Sequence, residues 1–350
     1  MRRLLLVLFL LTAAVPALAQ TTTPSEMLRS SVHNVIRPAI KTLSLRAGAL
    51  STDLASLCEA PSQVRLDAAR AGFAEAALAF GRVEFVRAGP LVEDNRVDRL
   101  LFWPDRKGIA LKQVQAILAG EDSAAITPER IEQGSVAVQG FGALEFVLFG
   151  TGAETLAAGA PFRCAFGEAV AGNIAAIADE LVAGWAEPDG IALHLTIPDP
   201  AYADYRTQTE ALEALVGLIA HGIEAARDQR LLPFISRDGK PAKPRQALFW
   251  RSNLTLPMLR ADMEGIRRLV EFSGIVSDAA LAEAIETAFG NALSAIDRVT
   301  GDVETAVADP DQSAALLDLL AATQDLQRLI GEELSASLGL SVGFSSLDGD

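Results

Sequence analysis

Apolar residues recur at intervals of three and four along most of the chain, and runs of β-branched residues are scarce. This spacing places apolar side chains on one face of a helix, so the pattern predicts a chain of long helices. Pro38 should kink the first of them, and Thr127 followed by Pro128 is typical of a helix start. The longer helices are predicted over residues 25–57, 62–88, 107–118, 140–150, 163–185, 202–229, 245–272, 277–299 and 312–338.

Residues 187–200 form the clearest interruption of the helical pattern, because they contain Pro188, Gly190, Pro198 and Pro200. Clustered prolines and glycines mark linkers, so we place a domain boundary here. The sequence therefore predicts an all-α fold of two helical bundles with about four helices each. Residues 20–190 would form the N-terminal bundle and residues 191–350 the C-terminal bundle.

The stretch of residues 140–150 is apolar on every side of a helix except for one carboxylate, Glu145. A helix that is apolar all round is buried, and a buried carboxylate needs a positive, hydrogen-bonding or metal partner. Gly140 and Gly142 each weaken a helix by up to about 1 kcal/mol relative to alanine, which indicates close packing or the close approach of a ligand. A structural Glu–Arg pair in a tight helix crossing is the alternative to a functional site.

A polar loop upstream of this stretch carries further candidates. Pro104 favours an extended conformation at Trp103, and Asp105 follows directly. Such a loop suits the wall of a cleft, although it can also plug the edge of a core. Glu84, set among apolar residues, is a second candidate acid, for which a half-buried salt bridge is the simpler interpretation.

Residues 1–19 have the pattern of a secretory signal peptide. Arg2 and Arg3 form the basic start, residues 4–11 the apolar segment, and residues 17–19 the small-residue cleavage site. This apolar run is too short to cross a membrane, and no other run is long enough. We expect export to the periplasm, with cleavage after Ala19.

Charge and cysteine content agree with export. The chain carries 30 basic and 45 acidic residues, a formal net charge of −15, which becomes −17 once Arg2 and Arg3 are removed. Nucleic-acid binding needs a basic surface, so this class is excluded. Cys58 and Cys164, the two cysteines, would meet an oxidising compartment and are expected to pair; two free thiols are the alternative.

Several of these segments resemble the imelysin-like proteins of bacterial cell envelopes. Residues 140–145, Gly-Phe-Gly-Ala-Leu-Glu, are similar to the Gly-x-His-x-x-Glu motif of that family, with Gly142 at the position of the His. Further similarity lies at residues 35–39, at 103–105 and at Arg251-Ser252. The resemblance implies a duplicated helical-bundle architecture, a cleft beside the motif helix and a connection to iron.

The motifs of common enzyme classes are absent from the sequence, which has no Gly-x-Ser-x-Gly, His-Glu-x-x-His, phosphate-binding loop or dinucleotide-binding glycine signature. A catalytic zinc needs about three protein ligands, and the chain has 3 histidines, none of them clustered. We therefore predict a non-enzymatic periplasmic binding protein, and the resemblance implies that it is linked to the uptake or homeostasis of iron or another metal. A metal-dependent, peptidase-like hydrolase and a helical scaffold that binds another envelope protein are the alternatives.

Oxygen ligands would hold a hard cation, and Glu145 is the first candidate, followed by Asp105 and Glu84. Arg251 is the expected partner of Glu145, with Arg99 as the second choice. No cofactor other than iron or another metal ion is indicated. The predicted binding cleft contains Gly140, Gly142, Glu145, Trp103, Asp105, Arg99, Glu84, Arg251 and Ser252.

Overall fold

The computed structural model describes residues 22–340 with the exception of residues 106 and 238. The predicted all-α fold is confirmed, since this part of the chain contains helices and no strand. The helices are α1 (Pro24–Ser30), α2 (Arg37–Glu59), α3 (Gln63–Gly81), α4 (Arg96–Leu100), α5 (Ile109–Gly120), α6 (Pro128–Glu132), α7 (Gly140–Phe149), α8 (Pro161–Ala186), α9 (Ile191–Thr196), α10 (Gln208–Ala225), α11 (Thr255–Ser273), α12 (Ala279–Asp297), α13 (Val303–Ala308), α14 (Pro310–Arg328) and α15 (Ser335–Ser337). Wider π-helical turns occupy Ser31–Ile36, Ala226–Leu231 and Leu329–Leu334. Short 3₁₀ helices occupy Gly89–Leu91, Glu93–Asn95, Ser123–Ala125, Val136–Val138, Ala153–Ala158 and Pro244–Gln246.

Local sequence signals explain many of the helix starts. The hydroxyl of Ser62 accepts a hydrogen bond from the amide of Arg65 before α3, and that of Thr207 accepts one from Glu210 before α10. Side-chain caps of this kind satisfy amides that lack a partner inside the helix. The predicted irregularity at Pro38 takes the form of the π-helical turn Ser31–Ile36, which ends just before the proline.

The helices of the first half pack around α2, which lies against α3 and α8. The motif helix α7 covers this group by contacting both α3 and α8. The predicted disulfide between Cys58 and Cys164 is confirmed, and it joins the end of α2 to the start of α8 across 106 residues. It thereby fixes two helix ends that lie far apart in the sequence.

The helices of the second half pack around α11 and α14: α11 contacts α10 and α12, and α14 contacts the same two. Contacts also cross the midpoint of the chain, since α1 packs against α10 and α11, and α3 packs against α11. The close crossing of α3 and α11 is possible because Gly265 lies beside the Arg82 backbone, where a Cβ atom would come within 2.2 Å of the carbonyl oxygen. The division into two domains at residue 190 stays a prediction.

The predicted element boundaries differ from the structure at several places. The helix predicted from residue 202 begins at Gln208. Helix α3 ends at Gly81, because the next amides bond to Phe80 in tight turns, so Glu84 lies beyond the helix. Residues 247–254 form turns, and α11 starts only at Thr255. The predicted linker contains the short helix α9.

Helix α8 has 26 residues and is, by length and composition alone, apolar enough to cross a membrane. The sequence analysis had found no such run beyond the signal segment, and in this respect it was wrong. Helix α8 packs against α2 and α7, and its buried residues include Phe166, Ile174 and Trp185. This is the environment of a core helix. The predicted signal peptide lies outside the described residues. So do residues 341–350, part of an apolar and glycine-rich C-terminal segment that the sequence predicts to pack on the body of the protein.

Candidate functional site

The two glycines of the motif helix have different structural roles. Gly140 has a φ of +68°, and a Cβ atom there would come within 2.2 Å of the Leu100 carbonyl oxygen and 2.4 Å of that of Arg99. Only glycine fits such a conformation and contact without strain. Gly142 has no atom within 4 Å of the position that its Cβ would take. Gly140 therefore allows α7 to pack on α4, whereas Gly142 leaves space beside the helix.

Glu145 is buried, with 5% of its surface exposed, and it binds a loop from the second half of the chain. Its Oε1 atom accepts hydrogen bonds from the amides of Arg251 and Ser252 at 3.1 and 3.0 Å. The Ser252 hydroxyl donates a third bond at 2.9 Å. The Arg251 guanidinium lies 3.9 Å from Oε2. The carboxylate thus has the partners that its burial requires.

The loop of residues 247–254 presents its amides to Glu145 because of its own turn geometry. Phe249 and Asn253 adopt left-handed backbone conformations, with φ of 57° and 59°. The amide of Leu254 bonds to the carbonyl of Phe249 at 3.0 Å, and the Thr255 hydroxyl bonds to that of Leu248 at 2.6 Å. These contacts close the loop and point two consecutive amides in one direction, which makes a concave anion-binding surface for the carboxylate.

Burial raises the pKa of Glu145 above its ordinary value of 4.5. The hydrogen bonds from Ser252, the charge of Arg251 and the amide of Arg251 act in the opposite direction. The pKa of Arg251 is lowered by burial and by the neighbouring charge of Arg245, against the effect of Glu145. Burial thus disfavours the charged form of each group, and the charge of the other group favours it. Both groups border an open space.

That space is a cavity of about 700 Å³ between α5, α7 and the 247–254 loop. Residues from both halves of the chain line it. They include Trp103, Pro104, Asp105, Gly142, Glu145, Phe146, Asp228, Gln229, Arg237, Arg245, Phe249, Trp250 and Arg251. A larger and shallower depression, of about 1110 Å³, lies between residues 22–34 and 271–274 and contains none of the motif residues.

The loop before α5 forms the opposite wall of the cavity. The indole of Trp103 donates a hydrogen bond of 2.9 Å to the carbonyl of Gln229, which fixes the ring against the second half of the chain. Asp105 accepts hydrogen bonds from the amides of Ile109 and Ala110 at 2.7 and 2.9 Å, at the start of α5. Asp105 is thus a helix cap whose side chain borders the cavity.

The structure brings together five of the predicted cleft residues around the cavity, namely Trp103, Asp105, Gly142, Glu145 and Arg251. Ser252 joins them through its bonds to Glu145. Gly140 packs against α4 instead. Arg99 does not reach Glu145, because its guanidinium donates to Gln139 and Asn173.

Glu84, the remaining predicted residue, belongs to a separate buried cluster. Its carboxylate accepts hydrogen bonds from Arg230 at 2.8 and 3.0 Å, so the structure has a salt bridge here, although it is buried rather than half-buried. Asp262 lies against both groups, with 4% of its surface exposed. A small pocket of about 290 Å³ adjoins this cluster, and Gln229 lines both this pocket and the larger cavity.

The residues around Glu145 do not fit a resident metal ion. Within the described ranges, no group of three or more His, Cys, Asp or Glu side chains is placed to hold one. One oxygen of Glu145 is already bound by three donors of the protein. A metal site needs several free donor atoms that converge on one point, and this arrangement does not supply them.

Sequence analysis missed most of the other residues that line the cavity, among them Arg245 and Trp250. Both were placed inside a helix that was predicted to run from residue 245. The signals that could have indicated a loop are Asn253, which tolerates a left-handed conformation, and Pro257, which is common in the first turn of a helix. An aromatic residue next to Arg251 was also visible in the sequence.

Comparisons with known proteins agree with this architecture. The model of the imelysin family matches residues 36–330. An imelysin-like protein from Psychrobacter arcticum 273-4 superposes with a TM-score of 0.77 at 19% identity, covering 91% of this chain and 97% of its own. A protein named "putative iron-regulated protein A precursor" from Parabacteroides distasonis ATCC 8503 has a TM-score of 0.71 at 15% identity, covering 89% and 94%. None of the curated proteins matches the chain.

Proposed function

The chain belongs to the imelysin family, and on that premise we propose that it is an exported, non-enzymatic protein that binds a small ligand in the cavity beside Gly142 and Glu145. The observation that carries this proposal is the position of the cavity, which lies directly on the motif helix. The side chain missing at Gly142 enlarges it, and both halves of the chain enclose it. A volume of about 700 Å³ is in the range of small-molecule sites.

Export to the periplasm is the second part of the proposal. The disulfide between Cys58 and Cys164 supports it, because structural disulfides persist in oxidising compartments. The signal-like pattern of residues 1–19 supports it independently. Fractionation of cells that express the full chain tests this part: the protein should appear in the periplasmic fraction and begin at Gln20.

A connection to iron or another metal is the third part. The name of the neighbour from Parabacteroides distasonis describes that protein as iron-regulated, and it extends to this chain only as support for the proposal. The donor set around Glu145 does not favour a resident ion. We therefore assign the binding role to the cavity as a whole rather than to a metal centre.

Tryptophan fluorescence tests the binding role, since Trp103 and Trp250, two of the three tryptophans, line the cavity. Nile red, a neutral apolar dye, serves as the probe. We expect saturable energy transfer from tryptophan to bound dye in the wild type and its loss in Gly142→Phe, whose ring would fill the cavity. Gly290→Phe is the matched control, because Gly290 also has open space around its Cβ position but lies on the exposed side of α12.

Equal dye binding by wild type and Gly142→Phe would reject the cavity as the binding site. Casein hydrolysis that is lost in Glu145→Gln would instead support the peptidase-like alternative. Retention of a specific periplasmic protein by the wild type and equally by Gly142→Phe, without dye binding to the cavity, would support the scaffold alternative.

A further inference from the structure

The charged groups that line the cavity differ in how far their hydrogen-bonding atoms are used by the protein itself. Three carboxylates and three guanidinium groups line it. Glu145 is bound by the 251–252 amides and by the Ser252 hydroxyl. Asp105 caps α5 through two amides. Asp228 is paired with Arg227 at 2.6 and 2.9 Å. Each of the three carboxylates is therefore bound by other groups of the protein.

Arg251, by contrast, is held mainly by aromatic rings. Its guanidinium lies 4.5 Å from the centre of the Trp250 ring and 5.4 Å from that of Phe146. Its nearest carboxylate oxygen, on Glu145, is 3.9 Å away, beyond hydrogen-bond distance. Stacking on rings positions the planar group without using its in-plane N–H donors, which stay available for an acceptor.

Arg245 adds a second positive charge on the same wall. Its guanidinium lies over Trp250, 5.4 Å from the centre of the ring, and pairs with Glu304 at 2.9 Å near the surface. That pair uses the Nε atom and is largely exposed, so it is weak and leaves the terminal nitrogens for other acceptors. The charge of Arg245 lowers the pKa of Arg251, which means that the two cations repel each other across the cavity wall. An anion between them would relieve that repulsion.

The remaining wall is aromatic and apolar. Trp103, Phe146, Phe249 and Trp250 provide flat ring surfaces around the space next to the two arginines. Paired guanidinium groups recognise carboxylates with directional hydrogen bonds, and ring surfaces accept a planar or apolar body. The combination is suited to an organic anion and unsuited to a bare cation.

We propose that the cavity recognises an organic polycarboxylate through Arg251 and Arg245, with its body against the ring of Trp250. This inference rests on the proposed binding function and names its ligand class. The shared chemistry has two sources, the free acid and its ferric complex, in which the acid and not the protein supplies the metal donors. In the second case the protein would carry iron without a metal site of its own.

Benzene-1,3,5-tricarboxylate is the probe for the ligand class, and benzene-1,3,5-tricarboxamide is its neutral counterpart. Isothermal titration of the full mature protein should show saturable binding of the tricarboxylate and at least tenfold weaker binding of the tricarboxamide. Arg251→Gln should weaken tricarboxylate binding at least tenfold, and added salt should weaken it as well. Arg245→Gln, at an exposed position, provides a second variant that does not depend on the contact with Glu145.

Arg298→Gln is the matched control, because Arg298 forms an exposed ion pair with Asp318 on the surface of the second half. It should leave the affinity unchanged. Equal binding of the charged and neutral probes, or no change in both Arg251→Gln and Arg245→Gln, would overturn the assignment. Citrate and ferric citrate form the last comparison: equal affinity identifies the free acid as the source, and tighter binding of ferric citrate identifies the complex.

The outcomes also separate this inference from the proposed function. If Nile red binds in the wild type and not in Gly142→Phe while no polycarboxylate binds, the ligand class is wrong and the binding cavity stands. If neither the dye nor any anion binds, the proposed function itself fails.

Discussion

The hydroxyl of Ser252 donates a hydrogen bond of 2.9 Å to Glu145, a residue 107 positions earlier in the chain. Together with the amides of Arg251 and Ser252, it ties the motif helix of the first half to a loop of the second half. The same loop carries Trp250 and Arg251 into the cavity. The buried carboxylate therefore positions two side chains of the candidate site indirectly, by binding the loop that carries them.

Replacement of Glu145 by alanine should lower the free energy of unfolding by about 3–5 kcal/mol, since it leaves two amides and a hydroxyl without their acceptor and a half-buried arginine without its nearest negative charge. Glu145→Gln is the matched variant, because it keeps an oxygen that can accept the same bonds. Urea unfolding should show a clearly smaller loss for it. Equal losses in the two variants would mean that the hydrogen bonds to Oε1 do not stabilise the loop.

Much of the first half could be predicted because its signals are local. Ser62 and Thr127 cap helices where the sequence places them. The buried residues of α2 and α8 follow the apolar pattern. Burial of Glu145 followed from the apolar residues on all sides of it. The pairing of Cys58 with Cys164 followed from the count of two cysteines.

The loop of residues 247–254 could not be predicted in the same way. Phe249 adopts a left-handed conformation that its own side chain disfavours, so the conformation depends on contacts made elsewhere in the fold. The position of Arg99 was mistaken for a related reason: its partners, Gln139 and Asn173, come from two other helical segments and form no motif with it. Polar pairings between distant segments leave no periodic trace in a sequence.

The two motif glycines should respond in opposite ways to alanine. Gly140→Ala would force a Cβ atom against the backbone of α4 at a positive φ, and we expect a loss of more than about 2 kcal/mol in unfolding free energy. In Gly142→Ala the new methyl group meets open space beside the helix, and alanine favours a helix more than glycine does. This substitution should therefore raise the unfolding free energy by up to about 1 kcal/mol. Thermal unfolding of the pair distinguishes them; a loss of stability in Gly142→Ala would show that the space beside α7 is not open.

The disulfide closes a loop across 106 residues, so its removal should destabilise the chain strongly. The chain-entropy estimate is about 4–5 kcal/mol for a loop of this length, and less where the folded state gains from relaxation. Unfolding of Cys58→Ser/Cys164→Ser should therefore occur at a much lower urea concentration than that of the wild type. A reducing agent should lower the wild type to the level of the double variant and leave the variant unchanged. Equal stability of the oxidised wild type and the double variant would contradict the argument.

The cluster of Glu84, Arg230 and Asp262 predicts a pH dependence of stability. Burial, and then the negative charge of Glu84, raise the pKa of Asp262 well above its ordinary value of 3.8, against the charge of Arg230. Neither oxygen of Asp262 receives a hydrogen bond from an N–H or hydroxyl group in the described part of the chain. The contact with Glu84 is accordingly best made by a protonated Asp262 that donates to the carboxylate.

A carboxyl group whose pKa is higher in the folded state holds its proton more tightly there than in the unfolded chain. Its contribution to stability is therefore fully present below its ordinary pKa and is lost as the pH rises through the folded value. Asp262→Asn replaces the acid by a neutral group of the same shape that can still donate to Glu84. Relative to this variant, the wild type should lose stability in urea unfolding as the pH rises from the ordinary pKa of 3.8 through the raised folded value. Asp318→Asn, which alters an exposed pair, is the control and should show no such trend. If the difference in unfolding free energy between the wild type and Asp262→Asn stays constant across this range, Asp262 is ionised throughout.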